Sequence, residues 1–197
     1  MIEFRQRRHR AWLVLSALAL LLVALGTPAF GKRPALALAH GDPAPGLRGT
    51  QPDDSYFDLQ YKSKATVVNF WATWCEPCRG EMAKLDELYR RRAADGLQIV
   101  GVHAGHVEKS VLGEFLRAVP VTYPIVVPEA RYLDEWGGVA VLPLTFLMDG
   151  EGKILRRYIG ATPEQIAGLV ADVEAALAGT ELGPVIIPDK PFVATDD

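Results

Sequence analysis

The chemistry this chain can perform is concentrated in Cys75-Glu76-Pro77-Cys78, a four-residue stretch that holds its two cysteines. The stretch follows an apolar run, residues 65–72, and precedes residues with helical spacing. A thiol at a helix start meets unpaired N–H groups and the positive end of the helix dipole, and both favour its anion. Cys-x-x-Cys thiols in such a place fall from about 8.5 to somewhere in the range of roughly 3.5–7.5. Cys75, at the helix edge, is expected to be the exposed nucleophile. Cys78, one turn in, is expected to be the buried thiol that resolves a mixed disulfide. Pro77 suits the first turn because it has no N–H to leave unpaired there, and Trp74 is expected to shelter the pair. Two other readings of these residues stand beside redox chemistry. His103 and His106 could complete a Cys2His2 zinc site, although the gap from Cys78 is long and His-x-x-His is tighter than finger spacing. A purely structural disulfide is the other, although so small a loop removes little entropy from the unfolded chain. The strand–Cys-x-x-Cys–helix context favours redox chemistry over both.

The elements that must hold this stretch are readable from periodicity. Residues 65–72 (Ala-Thr-Val-Val-Asn-Phe-Trp-Ala) are β-branched and aromatic, as in a buried strand. From Pro77 to Ala94, Met82, Leu85, Leu88 and Tyr89 recur at helical spacing, and Gly96 follows as a stop. Residues 97–102 form the next strand, and residues 107–119 a second amphipathic helix through Val111, Leu112, Phe115 and Leu116. Residues 123–127 are extended, residues 129–136 short and helical, and Trp136 is expected in the core or over an edge. Residues 144–148 and 153–158 flank the hairpin turn Asp149-Gly150-Glu151-Gly152. Thr162 caps a last helix that has Pro163 at its first position and ends near Gly179. The order β-α-β-α-β-β-α, with its closing hairpin, fits one α/β domain: a central sheet with helices on both faces.

Composition narrows the function classes. The 197 residues are 49% hydrophobic and 23% charged, a globular mixture. Two cysteines exclude a multi-disulfide scaffold and a four-thiolate iron–sulfur cluster within one chain. The net charge of −3 conceals a head of about +5 through Ala39 and an acidic remainder. An acidic body has no footprint for nucleic acid, which needs clustered Lys and Arg. After Arg5, Arg7, Arg8 and Arg10 no charge occurs from Ala11 to Gly31, just enough for a membrane span. An uncleaved anchor over residues 11–31 and a signal peptide cleaved after Ala37-Leu38-Ala39 both fit, with Lys32 and Arg33 awkward for the latter. Either places the body outside the cytoplasm, because the basic residues lie mainly before the span. The expected organisation is residues 1–39 as anchor and linker, 40–180 as the domain, and 181–197 as a Pro-containing extended tail in which Val185-Ile186-Ile187 could add an edge strand or pack on the body.

Asn69-Phe70-Trp71-Ala72-Thr73-Trp74-Cys75-Glu76-Pro77-Cys78-Arg79-Gly80-Glu81-Met82 resembles the active-site segment of the thioredoxin-like TlpA/ResA/CcmG group, membrane-tethered thiol–disulfide oxidoreductases of bacteria. Further matches are Gly41-Asp42-Pro43-Ala44-Pro45, Val100-Gly101-Val102 and residues 142–150, so the likeness covers about residues 40–180. The resemblance implies a thioredoxin-like three-layer fold, a Cys75–Cys78 redox-active disulfide and no cofactor or metal beyond the dithiol. It implies that Pro143 is cis and faces the disulfide, where its backbone would pair with an incoming substrate chain; the default from sequence alone is a trans bond. Substrate contact would then fall to Trp74, Glu76, Pro77, Leu142 and Pro143. The implied partners are a protein thiol or disulfide, such as the Cys-x-x-Cys-His of an apocytochrome c, and a transmembrane thiol-carrying electron donor.

Several positions depart from the family or carry mechanism. Where thioredoxins bury an Asp on the strand before the motif, this chain has Asn69, which cannot titrate. Glu81 lies three residues after Cys78 on one helical face and is expected to handle its proton, with a pKa raised by partial burial and by the neighbouring thiolate. Glu76 adds negative charge between the sulfurs. It is expected to move the couple from the oxidising end, about −120 mV, towards the thioredoxin end, about −270 mV. Ala83 replaces a common Pro, and Leu144 replaces a Thr or Glu often found after the cis-proline. His103 and His106 are expected in a surface loop, with contact to the site or copper as the alternative. Two rival functions are a copper carrier using Cys75, Cys78 and His103, and a thiol peroxidase. The second lacks its Thr-x-x-Cys loop, although Thr73 precedes Cys75.

Overall fold

A computed structural model describes residues 38–182. The expected anchor over residues 11–31, with its linker as far as 37, and the tail from 183 onward, with Val185-Ile186-Ile187, lie outside the described residues. Among the described residues no helix is long and apolar enough to cross a membrane.

Among the described residues, seven strands and four α-helices follow one another: β1 (Arg48–Thr50), β2 (Tyr56–Asp58), β3 (Ala65–Trp71), α1 (Glu76–Arg92), β4 (Leu97–His103), α2 (Lys109–Ala118), β5 (Ile125–Pro128), α3 (Ala130–Glu135), β6 (Leu144–Asp149), β7 (Ile154–Ile159) and α4 (Pro163–Ala178). They form one mixed sheet in the order β2-β1-β5-β4-β3-β6-β7. β3, β4 and β5 run parallel, while β6 is antiparallel to β3 and β7 antiparallel to β6. The central strand β3 is buried at every position, as its continuous apolar run requires.

Alternation along the strands divides the core in two. Val67 and Trp71 of β3, Ile99 of β4 and Leu147 of β6 pack with Met82, Leu85 and Leu88 of α1, Phe115 of α2, and Leu169 and Val173 of α4. Val68 and Phe70, with Val100, Phe146 and Met148, pack instead with Leu47, Tyr132 and Trp136. Trp136 is wholly buried in an aromatic group with Phe70 and Phe146, and its indole N–H donates to the Gly46 carbonyl. Helix ends fall where the sequence places them. Gly96 is left-handed after the 3-10 turn that closes α1, and Thr162 and Gln165 form a reciprocal capping box at α4.

β1 and β2 lie in a stretch of the domain where the sequence reading places no element. Their three-residue length and Gly- and Pro-rich flanks leave no alternation to detect, and pairing of β1 with β5 and of β2 with β1 creates them. Gly49 permits that pairing: a Cβ there would lie 2.2 Å from the Val127 carbonyl oxygen and 2.7 Å from the Pro128 Cα. At the other edge, the entering chain lies along β7. Gly41 N–H donates to the Ile154 carbonyl, Ile154 N–H to the Asp42 carbonyl, and the Arg157 guanidinium to the Leu38 carbonyl. Replacement of Gly49 by Ala is expected to lower stability by about 2 kcal/mol, as overpacking against backbone does. A urea titration should show a lower midpoint at an unchanged slope.

Candidate active site

The two cysteines sit where β3 leaves the sheet. After Trp71 the chain turns, Cys75 N–H donating to the Ala72 carbonyl, and Cys75 becomes the N-cap of α1 in extended conformation without a side-chain cap bond. The first-turn amides of α1 are thus left to whatever anion the Cys75 sulfur presents. Pro77 stands in that first turn. Cys75 and Cys78 are joined in a disulfide, with Cα atoms 5.4 Å apart.

Exposure differs from the sequence expectation. Cys75 is 4% exposed and Cys78 not at all, so the pair differs in accessibility but the outer sulfur is nearly covered. Trp74 does not shelter it: the indole is 75% exposed, because the turn at Ala72 and Thr73 swings the side chain away from the core. Trp71, in the same buried cluster as the two cysteines, stacks on Phe115 with ring centres 4.8 Å apart. Glu76 and Pro77 are exposed, Leu142 is half-buried, and Pro143 is buried. The Leu142–Pro143 bond is cis, which departs from the sequence-only default and agrees with the resemblance. Leu144 turns to the opposite face and is buried in its core. The charge of Glu76 is met by Arg79, Nε to Oε2 at 3.0 Å, which offsets the negative field expected of it between the sulfurs.

Glu81 lies one turn after Cys78 and is 1% exposed. Asn69 and Thr145 are opposite one another in the β3–β6 register, on the sheet face under α1. Asn69 Nδ2 donates to Glu81 Oε2 at 2.7 Å and to Thr145 Oγ1 at 2.8 Å, and the Thr145 hydroxyl donates to Glu81 Oε1 at 2.9 Å. Burial pushes the Glu81 carboxyl up to about 7, against the two hydrogen bonds, which pull it down. Burial is thus enough to raise it with the sulfurs oxidised and no thiolate nearby. Sequence reasoning missed Thr145, whose partnership depends on a β3–β6 register that no local signal reveals.

His103 is not in a surface loop. It ends β4, 2% exposed, against Trp71. His106 is on the surface beside Glu108. Among the described residues no group of three or more His, Cys, Asp or Glu side chains is arranged to hold a metal ion.

Comparison with known proteins agrees with this geometry. The Redoxin family model matches residues 39–177. Thiol-disulfide oxidoreductase ResA of Bacillus thuringiensis is 30% identical over 135 residues, 68% of this chain and 78% of that protein. ResA of Bacillus subtilis is 28% identical over 167 residues, 82% of this chain and 91% of that protein. A Chlorobium tepidum crystal structure assigned as the thiol:disulfide interchange protein DsbE superposes with a TM-score of 0.65 at 27% identity, over 72% of this chain and 99% of that one. A buried carboxyl beneath a Cys-x-x-Cys disulfide at a strand–helix junction, on a sheet shared with these relatives, makes this chain a member of the Redoxin family and a thioredoxin-like thiol–disulfide oxidoreductase of the TlpA/ResA/CcmG type.

Proposed function

We propose that this oxidoreductase works outside the cytoplasm as a reductant of exported protein disulfides, its domain tethered by an anchor over residues 11–31. Apocytochrome c, with a Cys-x-x-Cys-His pair that must be reduced before haem attachment, is the proposed substrate. The observation that carries the reading is the Cys75–Cys78 disulfide at the start of α1 with Glu81 buried one turn behind it.

The reduced Cys75 thiolate attacks one sulfur of the substrate disulfide, forming a mixed disulfide and expelling one substrate thiolate. Cys78 then attacks the Cys75 sulfur, the second substrate thiolate leaves, and the enzyme disulfide closes. Two electrons have passed to the substrate. Glu81 takes the Cys78 proton as that sulfur becomes the nucleophile, which a carboxyl titrating near neutrality is suited to do. Thr145 serves both charge states, since its hydroxyl can donate to a carboxylate or rotate to accept from a carboxylic acid. Substrate chain is expected to lie over Trp74, Glu76, Pro77, Leu142 and Pro143, with the cis-proline backbone pairing to it. A transmembrane thiol carrier re-reduces the disulfide. No specific observation favours the copper-carrier reading or the peroxidase.

Two measurements test this reading. The folded Glu81 carboxyl holds its proton more tightly than the unfolded one, so its contribution to stability is lost as pH rises from about 4.5 towards about 7. Glu81→Gln should therefore match the native protein below that window and exceed it by about 3 kcal/mol above it, as read by urea melts across pH. Cys78→Ser should accumulate a mixed disulfide with apocytochrome c in cells, recovered after acid quenching. Capture of an oxidase subunit alone would overturn the proposed substrate, and failure of the native protein to reduce insulin would overturn the reductive direction.

A further inference from the structure

His103 shares the sheet face of Asn69 and Trp71 and stands opposite Trp71 in the β3–β4 register. Both ring nitrogens are engaged. Nδ1 is 3.0 Å from the Gly105 carbonyl oxygen, and Nε2 is 3.3 Å from the backbone nitrogen of Thr73. A carbonyl only accepts and a backbone N–H only donates, so these contacts require the neutral tautomer with its proton on Nδ1. The Gly105 carbonyl is brought back to the ring by a tight turn in which Gly105 takes a φ of +114° and donates its N–H to the His103 carbonyl. Thr73 belongs to the short connection between β3 and Cys75, the segment that sets where the nucleophilic sulfur lies. The imidazole therefore ties the end of β4 to the chain carrying Trp74 and Cys75.

We infer that His103 is a positioning residue of the redox centre: its unprotonated Nε2 holds the Thr73 N–H and so fixes the Cys75 loop, and protonation of the ring releases that hold. A proton on Nε2 would set two donors facing each other. The groups around the ring are the uncharged Trp71, whose plane it meets edge-on at 5.1 Å, and Phe115 beneath Trp71. Of the charged and titratable groups nearby, Arg79 on α1 reaches the Phe115 ring and is paired with Glu76, and the His106 ring lies beside Glu108. Burial, with a smaller contribution from His106, lowers the His103 pKa, against a raising effect of the Gly105 bond. Release is therefore expected on the acid side of 6.5, the ordinary histidine value. This separates it from Glu81, whose carboxyl burial pushes up to about 7.

The test uses the solubilised full-length chain in its disulfide form, in which neither sulfur titrates. Nitrogen-15 NMR at pH 7.5 should show an unprotonated Nε2, and the Thr73 amide shift should follow the His103 titration as the pH falls. A protonated Nε2 at pH 7.5, or a Thr73 amide indifferent to His103, overturns the inference. Two variants extend the test to activity. Asn reproduces the Nδ1 donor and Gln the Nε2 acceptor, so His103→Asn should lose roughly 3- to 10-fold in kcat/KM for insulin reduction at pH 7.5, the change one hydrogen bond commands. His103→Gln should recover at least half of that loss and abolish the acid step of the Thr73 amide. Equal losses in the two variants overturn it, and thermal melts identify a variant that has not folded, in which case the native NMR titration decides. The inference rests on thiol–disulfide exchange at Cys75. Were insulin reduction absent from the native protein, the activity reading would fail while the NMR result still judged the loop contact.

Discussion

A carboxyl group kept from water beneath the first turn of a helix is the constraint around which this domain is arranged. Removing a carboxylate from water is costly unless it is hydrogen-bonded or gains a proton, and Glu81 is placed to do either. Asn69 and Thr145 supply donors from two adjacent strands, so the β3–β6 register must be held for the carboxyl to be tolerated at all. That register is stabilised by the apolar residues alternating with these polar ones, Val68 and Phe70 on β3 and Leu144 and Phe146 on β6, which pack on the far face. The redox centre and the hydrophobic core are thus one construction: a slip of one residue would carry Asn69 or Thr145 into the apolar core of the far face and leave the carboxyl without its donors.

Much of this was legible in the sequence because it is local. A strand, a Cys-x-x-Cys and an amphipathic helix in succession specify both the nucleophile's place and the turn behind it where Glu81 falls. Gly96, Thr162 and Pro163 mark helix ends by backbone requirements each residue carries by itself. What escaped is non-local. Thr145 acquires its role through a partner strand 76 residues away, and β1 and β2 exist by pairing rather than by pattern. His103 reads in the sequence as a loop residue because the apolar run of the strand stops at Val102, whereas β4 continues through His103 and turns its ring inward. Trp74 misleads in the opposite sense, since a large apolar residue beside a reactive pair suggests cover. The indole buried with the cysteines is that of Trp71, on the strand itself.

The site is consequently built from one face of three neighbouring strands. β3 contributes Asn69 and Trp71, β4 His103 and β6 Thr145, and α1 lies across them with Cys78 and Glu81 pointing down. Thr73, Trp74, Glu76 and Pro77 reach the surface beside the sulfurs, which separates the machinery that adjusts protons from the side chains that meet another molecule. Arg79 stands between the two, paired outward with Glu76 and resting inward on Phe115. Changes at the surface can therefore alter what binds without disturbing the buried hydrogen-bond network.

The entering chain at Leu38 to Ala44 is knitted lengthwise to β7 rather than hanging from one end of it. Tension applied through that segment would run parallel to the strand and load several bonds at once, a sliding geometry that resists peeling apart one bond at a time.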